Sequence, residues 1–145
     1  MLELKVKDVM VTKVVTVGVE APMSLVEENI RVNKIRHMPV VDSANRLLGI
    51  ITQRDLLRHV CPRPTEDGYM FVKEEMDQLI LKHIMTPDPV TIRPEDPLKK
   101  AVEIMAREKY GCLPVVRQDK TVVGIVTQID ILRLLFKALD ASSSG

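Results

Sequence analysis

The chain has 145 residues, 46% of them hydrophobic and 28% charged, with 21 basic side chains against 20 acidic ones. That length holds one ordinary domain or two small units that need each other, and the apolar share is enough to bury a core. The balanced charge excludes a general field for nucleic acid or an anionic membrane, and no apolar run approaches the roughly 18 to 20 residues needed to span a bilayer.

The opening segment, MLELKVKDVM, has no apolar stretch after its charges, so a secretory signal is not expected and a cytoplasmic setting is. Cys61 and Cys112 have neither metal-ligand spacing nor a disulfide framework, in keeping with a reducing compartment. With no Trp, two Tyr and two Phe, the core must be built from Val, Ile, Leu and Met.

Along the chain, the β-branched run Val14–Val17 reads as a short strand, followed by a turn ending at Pro22. Met23, Val26 and Ile30 recur at helical spacing. Two strands are expected at His37–Val41 and Leu47–Thr52, joined by the turn Asp42-Ser43-Ala44-Asn45, with a helix over Asp55–Val60. Pro62 and Pro64 then break the chain, and Glu66-Asp67-Gly68 reads as loop. Val72, Met76, Leu79 and Ile80 fall at helical spacing and predict a linker helix.

The second half of the chain repeats the first. A shift of 75 residues aligns residues 6–58 with 81–133 without a gap, giving 18 identities in 53 positions. Met10 pairs with Met85, Pro22 with Pro97, Pro39-Val40-Val41 with Pro114-Val115-Val116, and Gly49 with Gly124. Leu98, Ala101 and Met105 supply the helical stripe of the second copy. Its two strands are Cys112–Val116 and Val122–Thr127, and its closing helix is Asp130–Leu139. Each copy is β-α-β-β-α and too small to be comfortable alone. The expected organisation is a first repeat at 1–60, a connector at 61–80, a second repeat at 81–140 and a disordered tail at 141–145.

These motifs carry a family resemblance. Met-Thr-Pro-Asp-Pro-Val-Thr at 85–91, the Pro-Val-Val steps and the two Gly-x-x-Thr-x-x-Asp steps at 49–55 and 124–130 resemble a pair of cystathionine-β-synthase (CBS) domains, a Bateman module. The resemblance covers residues 5–139. It implies an α+β fold in which two CBS repeats pack sheet to sheet about a pseudo-twofold axis. It also implies two clefts for an adenosine-containing small molecule (AMP, ADP, ATP or S-adenosylmethionine), with no permanent cofactor or metal. Pairing into a homodimer and control of an effector enzyme or transporter are the partners it implies.

The Thr-x-x-Asp step has a simpler reading. A Thr at a strand end, an acid three residues on and an apolar run beyond make a helix cap, worth about 1 kcal/mol. The same helix start favours an anion, so the two readings are compatible. By resemblance, Asp55 and Asp130 accept hydrogen bonds from ribose hydroxyls, and Thr52 and Thr127 face phosphate. Arg36, His37 and Arg54 add phosphate-binding groups in the first copy; Gly111, Cys112 and Ile129 stand at those positions in the second. The first cleft is therefore the better phosphate site, while Gly111 offers backbone N–H groups in the second. The adenine slot is assigned by resemblance to Val14, Thr16 and Pro39 in one copy and Pro89, Thr91 and Pro114 in the other, with Pro22, Val26, Pro97 and Ala101 alongside. Each of these also reads as plain core packing.

Two function classes compete with a nucleotide sensor. A ligand-free dimerisation or docking module would need the Thr-x-x-Asp steps only as caps. An enzyme would need machinery that the sequence lacks: there is no P-loop, HExxH, CxxC or nucleophile elbow. The scarcity of aromatic residues also removes base stacking as a route to single-stranded nucleic acid.

Overall fold

A computed structural model describes residues 3–144. Its elements run in chain order from a short turn of 3-10 helix, Val6–Asp8, to β1 (Val17–Gly18), α1 (Met23–Asn33), β2 (His37–Val41), β3 (Leu47–Thr52) and α2 (Gln53–His59). The connector holds β4 (Arg63–Thr65), β5 (Gly68–Met70) and α3 (Lys73–Asp77). The second copy follows as α4 (Leu81–Ile84), β6 (Thr86–Pro87), α5 (Leu98–Glu108), β7 (Cys112–Val116), β8 (Val122–Thr127) and α6 (Gln128–Ser144). The α+β class is present as expected; the leading strand expected at Val14–Val17 is confined to Val17–Gly18, and its counterpart in the second copy is a single bridge at Ile92.

The alternation of the sequence explains the local structure. Met23, Val26 and Ile30 are buried on α1, and Leu98, Ala101 and Met105 are buried on α5. Both helices follow a proline, whose missing N–H costs nothing at a helix start, and both end in a lysine in the left-handed region, Lys34 at φ 54° and Lys109 at φ 59°. The hairpins of both copies share one register. His37 lies opposite Thr52 and Pro39 opposite Ile50, just as Cys112 lies opposite Thr127 and Pro114 opposite Ile125. A bulge falls between Val40 and Val41 and again between Val115 and Val116.

The chain forms two compact units, Val15–Pro89 and a second unit made of the residues up to Val14 together with those from Val90 onward. In the first, β1 runs parallel to β2, and β6 is antiparallel to β3, giving the order β1-β2-β3-β6. The second repeats this topology with single bridges in place of the short strands. Ile92 is parallel to Val115, and Val11 is antiparallel to Ile125. Each repeat therefore lends its leading segment to the unit built on the other repeat's hairpin. The sequence repeats at 6–58 and 81–133 are real, but the spatial units exchange their leads.

Each unit has its own core. Val17, Met23, Val26, Met38, Val40, Ile51, Leu56, Met76, Leu81 and Met85 belong to the first. Val6, Ile92, Leu98, Ala101, Met105, Leu113, Val115 and Val126 belong to the second. No buried polar or charged residue is found among the described residues. The cores are aliphatic, as the composition requires.

Three local expectations change. Glu66 and Asp67 are the turn of a small hairpin, β4–β5, which Gly68 closes at φ 140°, a value side chains rarely adopt. The linker helix is shorter than expected: α3 ends at Asp77, since Leu79 and Ile80 continue no fully buried stripe, and α4 opens the second repeat where Val6–Asp8 opens the first. The expected disordered tail is instead the last turn of α6, which runs to Ser144; Ser142 and Ser143 donate their hydroxyls back to the Ala138 and Asp140 carbonyls at 3.0 and 2.9 Å. Gly145 lies outside the described residues. Among those residues, no helix is long and apolar enough to cross a membrane.

The exchanged leads rest on two glycines. A Cβ on Gly49 would stand 2.6 Å from the Met85 Sδ and 2.7 Å from the Thr86 carbonyl oxygen. A Cβ on Gly124 would meet the Met10 Sδ at 2.6 Å but the Val11 carbonyl only at 3.1 Å. A methionine can swing aside and a paired backbone carbonyl cannot. Gly49→Ala is therefore expected to cost about 1–3 kcal/mol and more than Gly124→Ala. Chemical denaturation of the two variants checks the order.

Candidate functional site

The motif residues of the first copy converge at one end of the β2–β3 hairpin. The register places His37 opposite Thr52, and the Gln53 N–H donates to the Arg36 carbonyl at 2.9 Å, which ties the segment before β2 to the start of α2. Thr52 caps α2. Its backbone N–H and its hydroxyl donate to Asp55 Oδ2 at 2.8 and 2.9 Å, and the Asp55 N–H donates to the Thr52 Oγ1 at 3.1 Å. This is a reciprocal capping box. Among the described residues no protein group donates to Asp55 Oδ1, so one carboxylate oxygen is anchored while the other remains available.

The second copy reproduces the frame. The Thr127 N–H and hydroxyl both donate to Asp130 Oδ2 at 2.8 Å, and the Gln128 N–H donates to the Gly111 carbonyl at 3.1 Å. Gln53 and Gln128 pair in the repeat, yet their side-chain type gives no sign of a role, because their contribution comes through backbone N–H groups. Gln128 adds a side-chain bond, Nε2 to the Tyr110 carbonyl at 3.3 Å.

The two ends differ in charge. Arg36 and Arg54 are exposed and His37 is half-buried. The His37 imidazole is held below its ordinary value near 6.5, first by burial, then by the positive charge of Arg36, with Arg54 adding to the effect and Asp55 opposing it. His59, one turn further along α2, places Nδ1 at 2.8 Å from the Asp55 carbonyl. The equivalent place in the second copy holds Cys112, a buried thiol pushed up to about 12 by desolvation and therefore neutral, and Ile129, half exposed. An un-ionised thiol is a poor nucleophile and a poor metal ligand. Among the described residues no cluster of three or more His, Cys, Asp or Glu side chains is placed to hold a metal ion.

The residues assigned to an adenine slot divide between the units. Thr16, Pro39 and Pro89 belong to the Val15–Pro89 unit; Val14, Thr91 and Pro114 belong to the other. Pro39 and Pro114 are buried inside their hairpins, and the Pro114 carbonyl accepts the Ile92 N–H at 3.1 Å. Packing accounts for both prolines. Val14, Thr16, Pro89 and Thr91 are half-buried. A separate recess of about 240 Å³ lies between α5 and α6, lined by Val102, Met105, Ala106, Gln128, Ile131 and Leu132. It has no charged lining residue, and the Glu27–Arg31 ion pair occupies the equivalent positions of the first copy at 2.9 Å.

Two α+β units, each with a strand that runs into a helix through a Thr-x-x-Asp step whose Thr donates to the Asp carboxylate, define a tandem-repeat module. The CBS domain model matches residues 6–61 and 81–137, and the chain belongs to the CBS domain family. A CBS domain-containing protein from Dictyostelium discoideum is 30% identical, with 96% of each chain covered. A homoserine O-acetyltransferase from Methanohalobium evestigatum is 31% identical over 90% of this chain, which spans only 24% of that enzyme. Among solved structures, a CBS domain pair in complex with 5′-methylthioadenosine and S-adenosyl-L-methionine matches with a TM-score of 0.76 and 25% identity, covering 93% of this chain and 98% of the other.

The cap and the imidazole both make predictions about stability. Thr52→Ala should cost about 1 kcal/mol in chemical denaturation, because it removes the reciprocal bond to the Asp55 N–H. For His37 the folded state favours the neutral ring, so the unfolded chain binds the proton more readily. Stability is then full above about pH 6.5 and is lost as pH falls from there through the lower value of the folded state. His37→Gln should lose less stability than the parent between about pH 8 and about pH 5.5. Equal losses in the two proteins would refute the assignment to His37.

Proposed function

We propose that the chain is a regulatory module that binds an adenosine-containing ligand and passes the binding event to a separate protein. One observation carries this reading: Arg36, His37, Thr52, Arg54 and Asp55 are gathered around a single helix start in one unit. Asp55 Oδ1 is a free acceptor for ribose hydroxyls, and charge-assisted bonds of that kind are worth roughly 1.5–3 kcal/mol each. The exposed guanidinium groups and the start of α2 supply positive potential for phosphate. The complex of the related domain pair with two adenosine compounds supports the ligand class.

In the second unit Asp130 and Thr127 offer the same ribose geometry, while Gly111 brings only backbone to the phosphate position. We assign the stronger site to the Asp55 end. AMP, ADP, ATP and S-adenosylmethionine are the candidate ligands; Thr16, Pro39 and Pro89 in this unit, with Val14, Thr91 and Pro114 in the other, are the candidate adenine contacts. A ligand that prefers one arrangement of the module shifts its population and, through linkage, the partner's state. The partner class is an enzyme or transporter, the module pairs with a second copy of itself in the cytoplasm, and neither nucleic acid nor membrane is a ligand. Catalysis is not assigned to it: the acetyltransferase relative is about four times longer, and the match is to one part of it.

A second reading has a specific observation behind it. Both Thr-x-x-Asp steps are engaged as helix caps, which is all that a ligand-free docking module would require. Thermal melts separate the two readings. AMP, ADP, ATP or S-adenosylmethionine at a hundredfold excess over Kd should stabilise the protein by about 2.7 kcal/mol, a rise of a few degrees. Measured against each variant's own ligand-free Tm, Asp55→Ala should remove most of the rise and Asp130→Ala less. No rise with any of the four ligands, on protein shown to be ligand-free, supports the docking module instead.

A further inference from the structure

We propose that the second unit pairs with its counterpart in a second copy of the chain. The two α6 helices lie antiparallel, and Phe136 of each copy enters the α5–α6 recess of the other. This pairing deepens the proposed self-association, on which it rests, by naming the surface, the register and the repeat that supplies them.

α6 carries more apolar surface than its own unit uses. Ile131 and Leu134 are half-buried and pack against the second core, which is the one stripe a surface helix needs. A second stripe, Ile129, Leu132, Phe136 and Leu139, recurs at steps of three, four and three residues, the spacing of a helix-pairing seam. Leu132, Phe136 and Leu139 are 58%, 68% and 61% exposed. At 3.6 residues per turn, Asp130, Arg133, Lys137 and Asp140 share the remaining side, so charge interrupts neither stripe.

The exposed face holds both a hollow and a projection. The recess of about 240 Å³ is lined by Val102, Met105, Ala106, Gln128, Ile131 and Leu132. Phe136, one turn beyond Leu132, is not one of its walls. A twofold axis makes contacts reciprocal: where a residue of one copy meets a second residue of the other, the reverse contact follows. An axis beside residue 134 sets Phe136 against Leu132 and Leu139 against Ile129. Both rings then reach both recesses. A parallel pair would stack Phe136 on Phe136 and leave the recesses open.

The area suffices. With roughly 100 Å² exposed on each of Val102, Ile129, Leu132, Leu135, Phe136 and Leu139, two copies present about 1,200 Å², above the about 1,000 Å² of a specific interface. The first unit offers no such face. Glu27 and Arg31 stand where Val102 and Ala106 line the recess, and they form an ion pair at 2.9 Å. Arg54 stands where Ile129 does. α2 stops at His59, ahead of Pro62, so the turns that carry Phe136 and Leu139 have no counterpart. Pairing unlike ends would press Phe136 onto an ion pair and desolvate it. The second unit therefore matches its own kind.

Sedimentation velocity of the full chain over a wide concentration range tests this pairing, and the parent should be a dimer. Phe136→Asp should weaken self-association about a hundredfold or more, because each copy loses an aromatic anchor. Val102→Glu with Ala106→Arg moves the first copy's ion pair into the recess and should act alike, with an unchanged circular dichroism spectrum. Leu57→Asp, the matching change to Leu132 in the first unit, should leave the dimer intact. Register is read by oxidation in a Cys61→Ser background: Ile129→Cys mixed with Leu139→Cys should form disulfide-linked dimers, and neither variant alone should. A dimer that survives both α5–α6 variants, or that Leu57→Asp dissociates equally, overturns this pairing alone. Disulfides of either cysteine variant with itself overturn the antiparallel register. A parent that stays monomeric throughout leaves the face to a different protein and overturns the pairing together with the proposed self-association.

Discussion

The exchange of leading segments is the constraint on which the rest of the molecule depends. A single repeat of this length has a two-stranded hairpin, a helix on either side and little to close the open edge. Here that edge is covered by the other repeat's lead. Thr86 and Pro87 pair with Ile50 and Gly49, and Val11 exchanges both backbone bonds with Ile125 at 2.9 and 3.0 Å. Met85 and Met10 are the side chains that come with those leads, and each lies over the glycine of its adopted hairpin. The glycine makes room for the methionine, and the methionine fills what a side chain would otherwise occupy. The duplication is thus mechanical as well as historical. Neither unit is complete without residues that belong, by sequence, to the other copy.

That closure bears on the functional end through the strand it protects. β3 carries Gly49 and Ile50 at the edge pairing and Thr52 at its end, so the strand held by the exchanged lead is the one that delivers the cap of α2. Thr52 and Asp55 then serve two purposes with different atoms. Oδ2 and the threonine oxygen satisfy helix N–H groups that would otherwise lack partners. Oδ1 receives no protein donor among the described residues, and the Arg36 and Arg54 side chains are exposed. A capping box that leaves one carboxylate oxygen free is a rigid acceptor, and rigidity matters because ordering a loose side chain would offset part of each hydrogen bond formed to a ligand.

The repeat itself, the helical stripes and the hairpin register were all legible in the sequence because each follows from a period: 75 residues for the copies, the helical turn for Met23, Val26 and Ile30, and alternation for the strands. The gathering of Arg36, His37, Thr52, Arg54 and Asp55 was legible for the same reason, since a hairpin brings the residue before one strand beside the residue after the other. Partner choice is not periodic. Nothing in the spacing of Met10 or Met85 says which hairpin each lead will cover, because either placement buries a methionine against a glycine. The β4–β5 hairpin was hidden for a different reason. Its strands are three residues each and wholly exposed, so no alternation between core and solvent marks them. The extension of α6 over Ala141–Ser144 likewise follows from helix continuation and serine back-bonding, against a composition that reads as tail.

Duplication followed by divergence also explains why overall composition concealed the most informative feature. The frame that sets backbone and carboxylate geometry is the same in both copies: Thr52 and Thr127, Asp55 and Asp130, Gln53 and Gln128 make matching bonds. Charge differs only at positions with no structural role in the frame. Arg36 contributes its carbonyl to the fold, and so does Gly111; the guanidinium is free to be absent. Arg54 and Ile129 both sit exposed in a first helical turn, where either residue is tolerated. Stability therefore constrains the shared frame while leaving the side chains around it open to change, and a net charge of +1 averages over two ends that differ by two arginines and a histidine. In a duplicated fold the differences between aligned copies carry functional information that their common residues do not, because the common residues are already accounted for by the fold.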